Sequence, residues 1–248
     1  MLTVSPDGSE IFWGVSREWF PMSRVSEIWT AKRTAKGWRA KRASFSTGYS
    51  DGDPFVSYDG KQIFFVSFRP VGAPRKDFDI YAIDRTAGGY GTARNLGGGV
   101  NSPEDELYPS VAGDGTVYFA SDRSGTWKTY RARRAADNTY PTAELLPETV
   151  NAPGSWNFNP FISKDGRTLL FTSQRKGGAG KGDIWVAKAD ASGAFQQARS
   201  LGPTVNTAED EFHPTVSPDG RALFFIRRTG AADANADVYW MSTAGLGL

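Results

Sequence analysis

The 248-residue chain is predicted to be all-β: a five-bladed β-propeller of four-stranded antiparallel blades, forming one domain over residues 1–248. Three observations predict it. A short turn sequence recurs five times at near-equal spacing, strand-like runs follow each turn in a fixed order, and a proline marks one place in the strand before four of the turns.

The turns are "SPDG" at 5–8, "SYDG" at 57–60, "AGDG" at 112–115, "SKDG" at 163–166 and "SPDG" at 217–220, with aspartates Asp7, Asp59, Asp114, Asp165 and Asp219. The gaps between these aspartates are 52, 55, 51 and 54 residues, the length of one propeller blade. Asp-Gly supplies the positive-φ residue that a tight hairpin needs, so these aspartates are assigned to turn chemistry and not to metal binding.

After each turn comes an aromatic-rich second strand: "EIFWGVS", "QIFFVSF", "TVYFASD", "TLLFTSQ" and "ALFFIRR". A polar loop then leads to a third: "SEIWTAK", "FDIYAID", "WKTYRAR", "GDIWVAK" and "ADVYWMS". A weaker fourth run, as in "TARNLGGGVN" and "ARSLGPTVN", leads into the next repeat. Counting back from the turn aspartate, position −5 is Pro54, Pro109, Pro160 and Pro214 in copies two to five. Proline cannot donate to a sheet ladder, so this first strand is an edge strand, as the innermost strand of a propeller blade is. Position −3 (Val56, Val111, Ile162, Val216) is apolar, and so is −7 in three copies (Leu107, Phe158, Phe212), which marks one buried face.

The pattern P-x-[VI]-S-x-D-G…F-x-S…D-[IV]-[YW] resembles the WD-like propeller repeats of the TolB class over nearly the whole chain. The resemblance implies a bacterial protein that is periplasmic or secreted at full length, the export signal not being part of this chain. It implies little about activity, because such repeats serve binding proteins and enzyme accessory domains alike.

The last copy has no run for a fourth strand after "ADVYWMS". The third strand of blade five is therefore expected to leave an open edge containing Val238 and Trp240, available for pairing with another chain. Propellers commonly close with an N-terminal segment, so an upstream segment is expected to complete that blade, with a sixth blade upstream as the less favoured version.

Composition narrows the function. The 29 basic and 27 acidic residues are interspersed and leave a net charge of +2, with no basic block for nucleic acid. No apolar run approaches the roughly 18 residues of a membrane-spanning helix. Cysteine is absent, which removes disulfides and thiolate chemistry, and His213 is the one histidine, which rules out sites built from several imidazoles. "GGAGKGD" at 177–183 lacks the spacing and the Ser or Thr of a phosphate loop. The acidic stretches "SPEDE" (102–106) and "TAEDE" (207–211) offer oxygen ligands of the kind calcium takes, but exposed acidic loops are commoner than ion sites, and no metal or cofactor is assigned.

If the Asp-Gly turns lie at the bottom of the propeller, three polar sets meet around the upper mouth. Position −6, where the inner strand enters, holds Asp53, Tyr108, Asn159 and His213, and position −8, read by alternation as lying on the same side, holds Asp51, Glu106, Asn157 and Glu211. Arginines end the second strands (Arg17, Arg69, Arg123, Arg175), with Arg227 and Arg228 off register in blade five. Acidic residues open the third strands (Glu27, Asp79, Asp183, Asp237), with Lys128 in their place in blade three. The last two sets repeat blade by blade and are read as structural Arg–carboxylate ties. The −6 residues differ from blade to blade, which suits a shaped pocket, although a channel lined with polar groups is the plain alternative. His213 is the one side chain there that ordinarily titrates near neutral pH.

The function expected from these residues is a binding module that takes a protein, peptide or glycan ligand at the channel mouth, more than an enzyme. Aromatic residues at Trp19, Phe20, Tyr49, Trp127 and Trp156 lie on or near the upper loops. The alternative is a glycosidase-like carbohydrate-active enzyme. It needs two carboxylates across the scissile bond, and those would be Asp53 with Glu106 or Glu211.

Overall fold

The computed structural model describes residues 2–16, 26–72, 77–230 and 236–248. All regular elements among them are strands, arranged as a five-bladed propeller. Blade one is β1 (Leu2–Val4), β2 (Glu10–Ser16), β3 (Ser26–Thr34) and β4 (Gly37–Arg42). Blade two is β5 (Asp51–Val56), β6 (Gln62–Ser67), β7 (Asp79–Thr86) and β9 (Arg94–Asn95), with a two-residue strand, β8 (Gly89–Tyr90), on the far end of β7. Blade three is β10 (Glu106–Val111), β11 (Val117–Ser121), β12 (Lys128–Ala132) and β13 (Ala143–Leu145). Blade four is β14 (Asn157–Ile162), β15 (Thr168–Ser173), β16 (Asp183–Lys188) and β17 (Arg199–Ser200). Blade five has three strands, β18 (Asp210–Val216), β19 (Ala222–Arg228) and β20 (Ala236–Ser242).

Each blade turns on its Asp-Gly pair. In blade two the Ser57 hydroxyl donates to Asp59 Oδ1 at 2.7 Å, the Lys61 N–H donates to the same oxygen at 3.0 Å, and Gly60 sits at φ 71°. The same pattern holds Asp7, Asp165 and Asp219 in place, so these carboxylates are spent on the hairpins as their spacing predicted.

Period-two alternation gives each blade two apolar faces. Ile63, Phe65, Tyr81 and Ile83 pack on Phe12, Ile28 and Phe45 of blade one, while Phe64, Val66, Ile80 and Ala82 pack on Leu107, Phe119 and Tyr130 of blade three. Each such side chain contributes about 1.5–3 kcal/mol of burial, which is how thin sheets add up to a stable ring. Blade five breaks the pattern. Ile80 and Ala82 are 0% exposed, whereas their counterparts Val238 and Trp240 are 58% and 70% exposed on β20. The chain beyond β20 turns toward blade four, where Arg199 donates to the Leu246 carbonyl at 2.6 Å, and among the described residues nothing pairs with the outer edge of β20.

At the centre, the −4 residues of the five inner strands are Thr3, Phe55, Ser110, Phe161 and Thr215. Their hydroxyls tie neighbouring blades. Thr3 Oγ1 accepts the Val56 N–H at 3.2 Å, Ser110 Oγ accepts the Ile162 N–H at 2.9 Å, and the Thr215 hydroxyl donates to the Leu2 carbonyl at 3.1 Å. Phe55 and Phe161 meet across the axis with ring centroids 6.4 Å apart, and the Tyr58 hydroxyl donates to the Ile162 carbonyl at 2.7 Å. Rings therefore fill the axis at the level of the −4 residues, and below them Tyr58 and Phe161 line a cavity between the Asp-Gly turns of blades four and five. Ser110 is fully buried, so Ser110→Ala leaves the Ile162 N–H without a partner and is expected to cost about 1–3 kcal/mol. The exposed turn change Ser9→Ala should stay within about 0.5 kcal/mol, both variants being read from urea-denaturation midpoints.

Candidate functional site at the upper mouth

Four non-glycine residues of the inner strands have left-handed backbone: Asp53 at φ 47°, Tyr108 at 57°, Asn159 at 51° and His213 at 54°. They are the four −6 residues, each directly before its proline. Each lies where the pairing register with the second strand slips: between Gly52 and Phe55, Leu107 and Ser110, Phe158 and Phe161, and Phe212 and Thr215. The inner strand thus carries a bulge, and a bulge re-aims the side chain it contains. Proline suits the place because the N–H it lacks lies on the free edge.

The bulges bring the four side chains together. Asn159 Nδ2 lies 3.0 Å from His213 Nδ1, so the amide donates and the imidazole carries its proton on Nε2. The Asn159 side chain also bonds the Tyr108 phenol, and the Tyr108 ring meets the His213 ring edge-on at 5.1 Å. The Tyr108 backbone N–H donates to the Asp53 carboxylate. Asp53, Tyr108 and Asn159 are buried, and His213 is half-buried.

Burial sets the charge states. It raises the Asp53 carboxyl from 3.8 to about 6 and pushes the His213 imidazole well below its usual 6.5. It also drives the Tyr108 phenol far up, with the Asp53 and Asp105 carboxylates adding to the effect. Near neutral pH the cluster holds one carboxylate, one neutral imidazole and one neutral phenol.

The −8 residues do not join this cluster. Asp51, Glu106, Asn157 and Glu211 are each 0% exposed and are bound by the arginines instead. Arg69 meets Asp51 at 2.8 Å, Arg123 meets Glu106 at 2.9 Å, Arg175 meets Asn157 Oδ1 at 3.0 Å and Arg227 meets Glu211 at 2.7 Å. Strict alternation placed −8 and −6 on one side. The left-handed residue breaks that period, so the two positions diverge.

The arginine ties therefore run to the inner strand and not to the acids that open the third strands. Each guanidinium also bonds a carbonyl of the loop before the inner strand (Phe45, Val100, Val150 or Val205) and covers two rings of its blade, as Arg69 does over Phe65 and Tyr81. In blade five Arg227 supplies this tie from two residues earlier in the pattern, and Arg228 pairs with Asp210. Of the third-strand acids, Glu27 pairs with Arg42 at 3.4 Å, Asp79 accepts from Asn95 at 2.7 Å, Asp183 accepts the Ala179 N–H at 3.0 Å, and Asp237 is exposed. Arg17, Trp19 and Phe20 lie outside the described residues. Tyr49 and Trp156 are each 50% exposed, while Trp127 packs against the core.

Sequence reasoning missed two supports of the site. Asn101, Asn151 and Asn206 each bond both the N–H and the carbonyl of one third-strand residue, namely Ile80, Thr129 and Ile184. Thr47, Ser102 and Thr207 each donate a backbone N–H and a hydroxyl to the −8 acid. The signal was the "VN" at 100–101, 150–151 and 205–206, which precedes the −8 position by five to seven residues in blades three, four and five. Among the described residues, no group of three or more His, Cys, Asp or Glu is placed to hold a metal ion, and no helix is long and apolar enough to cross a membrane.

No family model and no curated protein matches the sequence. Solved structures do match the fold. TolB from Acinetobacter baumannii is 19% identical with a TM-score of 0.63, over 99% of this chain and 52% of that one. A thermostable family-43 glycoside hydrolase is 15% identical with a TM-score of 0.63, over 97% and 88%. The GH43 endo-arabinanase from Bacillus licheniformis is 14% identical with a TM-score of 0.56, over 97% and 92%. The chain spans about half the length of the Acinetobacter protein. At these identities the likenesses show the fold alone, and they do not choose between binding and hydrolysis.

The Asp53 carboxyl generates a stability prediction. The unfolded chain releases this proton near 3.8, so Asp53 costs the fold nothing below that pH and progressively more up to about 6, roughly 3 kcal/mol in all. Asp53→Asn is therefore expected to stabilise the protein by about 3 kcal/mol at pH 7.5 and by almost nothing at pH 3.5, read from urea midpoints at both pH values. A less stable variant at pH 7.5 would show that the carboxylate is held by compensating charge.

Proposed function

We propose that the chain is a protein- or peptide-binding propeller whose upper mouth grips its ligand through Asp53, Tyr108, Asn159 and His213. One observation carries the reading: four unlike polar side chains meet at the axis, each on left-handed backbone. Such backbone costs of order 1–3 kcal/mol per non-glycine residue, and it persists where the surroundings enforce it, most often at ligand clamps and active sites. A scaffold would be served by one residue type in every blade. The Phe55 and Phe161 rings meet on the axis below the cluster, so a ligand reaches these side chains from above.

At neutral pH the Asp53 carboxylate only accepts hydrogen bonds, so the ligand segment presents N–H or O–H donors to it, while His213 Nε2–H faces an acceptor. The glycosidase reading loses support on geometry. Asp53, with its proton held to about 6, has the character of a general acid, but Glu106 and Glu211 are fully buried in arginine ties. The second carboxylate that hydrolysis needs is not supplied by those positions. The likeness to TolB repeats supports a periplasmic or secreted setting for the full-length protein.

The test is a peptide-display screen against the immobilised chain, followed by calorimetry on the ligand recovered. Asp53→Asn and His213→Ala are each expected to weaken binding at least tenfold while the protein stays folded. Affinity should also fall about tenfold between pH 7.5 and pH 5 as Asp53 takes up its proton near 6. Full affinity in both variants would sink the proposal.

A further inference from the structure

The four arginine ties at the top of the propeller share a loop carbonyl and a pair of rings, and they differ in the partner at −8. Blades two, three and five give the guanidinium a carboxylate, from Asp51, Glu106 and Glu211. Blade four gives it the neutral amide of Asn157. The hydroxyl that bonds the acid elsewhere, on Thr47, Ser102 or Thr207, is gone as well, because Ala152 stands at that place. The replacement is thus a paired one, and it leaves a cation without its acid.

Arg175 is 8% exposed, and its Nη1 is buried with no hydrogen-bond partner. The indole Nε1 of Trp185, whose ring lies 4.9 Å from the guanidinium carbon, is also buried without one. A second cation stands near. Lys128 occupies the place of the third-strand acid, and its amine is fixed at 2.9 Å from the Ser155 carbonyl and 3.3 Å from the Ala152 carbonyl. Neither Lys128 nor Arg175 has an ion pair among the described residues. Burial lowers both, Arg175 to about 10; the Arg175 charge adds to the lowering of Lys128, and the Glu148 carboxylate works against it without pairing with the amine. A buried guanidinium with a half-buried ammonium near it is destabilising unless an anion joins them. At the lip, the exposed Trp156 directly precedes Asn157.

We propose that the top of the seam between blades three and four is a carboxylate-binding site, in which an acidic peptide segment supplies to Lys128 of blade three and Arg175 of blade four the negative charge that Asn157 withholds. The site is separate from the axial cluster and stands whether or not Asp53 and His213 bind a ligand. A bound segment lies against Trp156, which adds apolar contact and a fluorescent reporter.

The experiment titrates the folded chain with capped hexaglutamate and with capped hexaglutamine, following tryptophan fluorescence and calorimetry at low and high salt. Hexaglutamate is expected to bind with an affinity that falls as salt rises, and hexaglutamine is not. Asn157→Asp places the acid of the other blades inside the tie. It is expected to raise the melting temperature and to weaken hexaglutamate binding at least tenfold, as is Lys128→Gln. Asp53→Asn should leave this binding unchanged, which separates the site from the axial one. Sodium acetate forms the last arm. Competition at millimolar concentration assigns the site to carboxylates generally, and its absence assigns it to an extended acidic segment. Equal hexaglutamate binding by the wild type and Asn157→Asp overturns the proposal.

Discussion

The left-handed residue before each inner-strand proline is the constraint on which the rest of the upper mouth depends. A β-strand with an unbroken period would point the −8 and −6 side chains the same way, and four carboxylates or amides would crowd the channel with the −6 set. The bulge separates them. It turns Asp53, Tyr108, Asn159 and His213 to the axis and leaves Asp51, Glu106, Asn157 and Glu211 behind, against the arginines. Below the bulge the strand resumes its register, and the −4 hydroxyls of Thr3 and Ser110 find the N–H groups of the neighbouring inner strands. One backbone irregularity, repeated four times, thus sorts an inner layer of possible ligand contacts from an outer layer of structural ones.

The outer layer shows how a repeated interaction tolerates sequence drift. In blades two to four the arginine follows its strand's serine by two residues and bonds it, as Arg123 bonds Ser121 at 3.0 Å. In blade five Arg227 stands at the serine's own position, yet its guanidinium reaches the same three kinds of partner: the −8 acid Glu211, the loop carbonyl of Val205, and the rings of Phe225 and Tyr239. A long side chain with a planar fork absorbs the two-residue difference, because what the site selects is where the charge lies, not where the chain departs. The same logic makes the blade-four exception informative. Its guanidinium is in place and its charge partner is not.

Most of the fold was legible because its signals are local. The Asp-Gly turns require positive φ at one residue, the strand runs alternate, and the prolines exclude a central position, so ring, blade order and inner edge all followed from residues close in sequence. The three-stranded last blade was legible for the same reason. The −6 set was found through its variation between blades, and it does converge. The −8 set was misplaced because alternation is a rule for regular strands, and nothing local in "DGDP" or "ELYP" announces a left-handed residue; Asn tolerates that backbone, but Tyr and Asp–Pro do not advertise it. The pairing of the arginines was missed for a different reason. Arg69 and Asp79 are close in sequence and Arg69 and Asp51 are not, and the inference followed sequence proximity where the fold follows the loop carbonyl at Phe45.

Charge then distinguishes the two parts of the upper face. At neutral pH the axial cluster carries the Asp53 carboxylate with a neutral His213, because burial moves the two groups in opposite directions: it raises an acid and lowers a base. The seam between blades three and four carries the opposite sign, from Lys128 of blade three and Arg175 of blade four, with no acid in the Arg175 tie. The remaining arginines are cancelled within their own blades and contribute little field. A face that is negative at its centre and positive toward one seam imposes an orientation on any segment with donors at one end and carboxylates at the other. Complementarity of that kind governs which encounters become complexes more than it governs how tightly they hold. The five blades are near-equivalent as scaffold apart from the open third strand of blade five, and on the upper face it is the −6 positions and the acid missing from blade four that give the ring a direction.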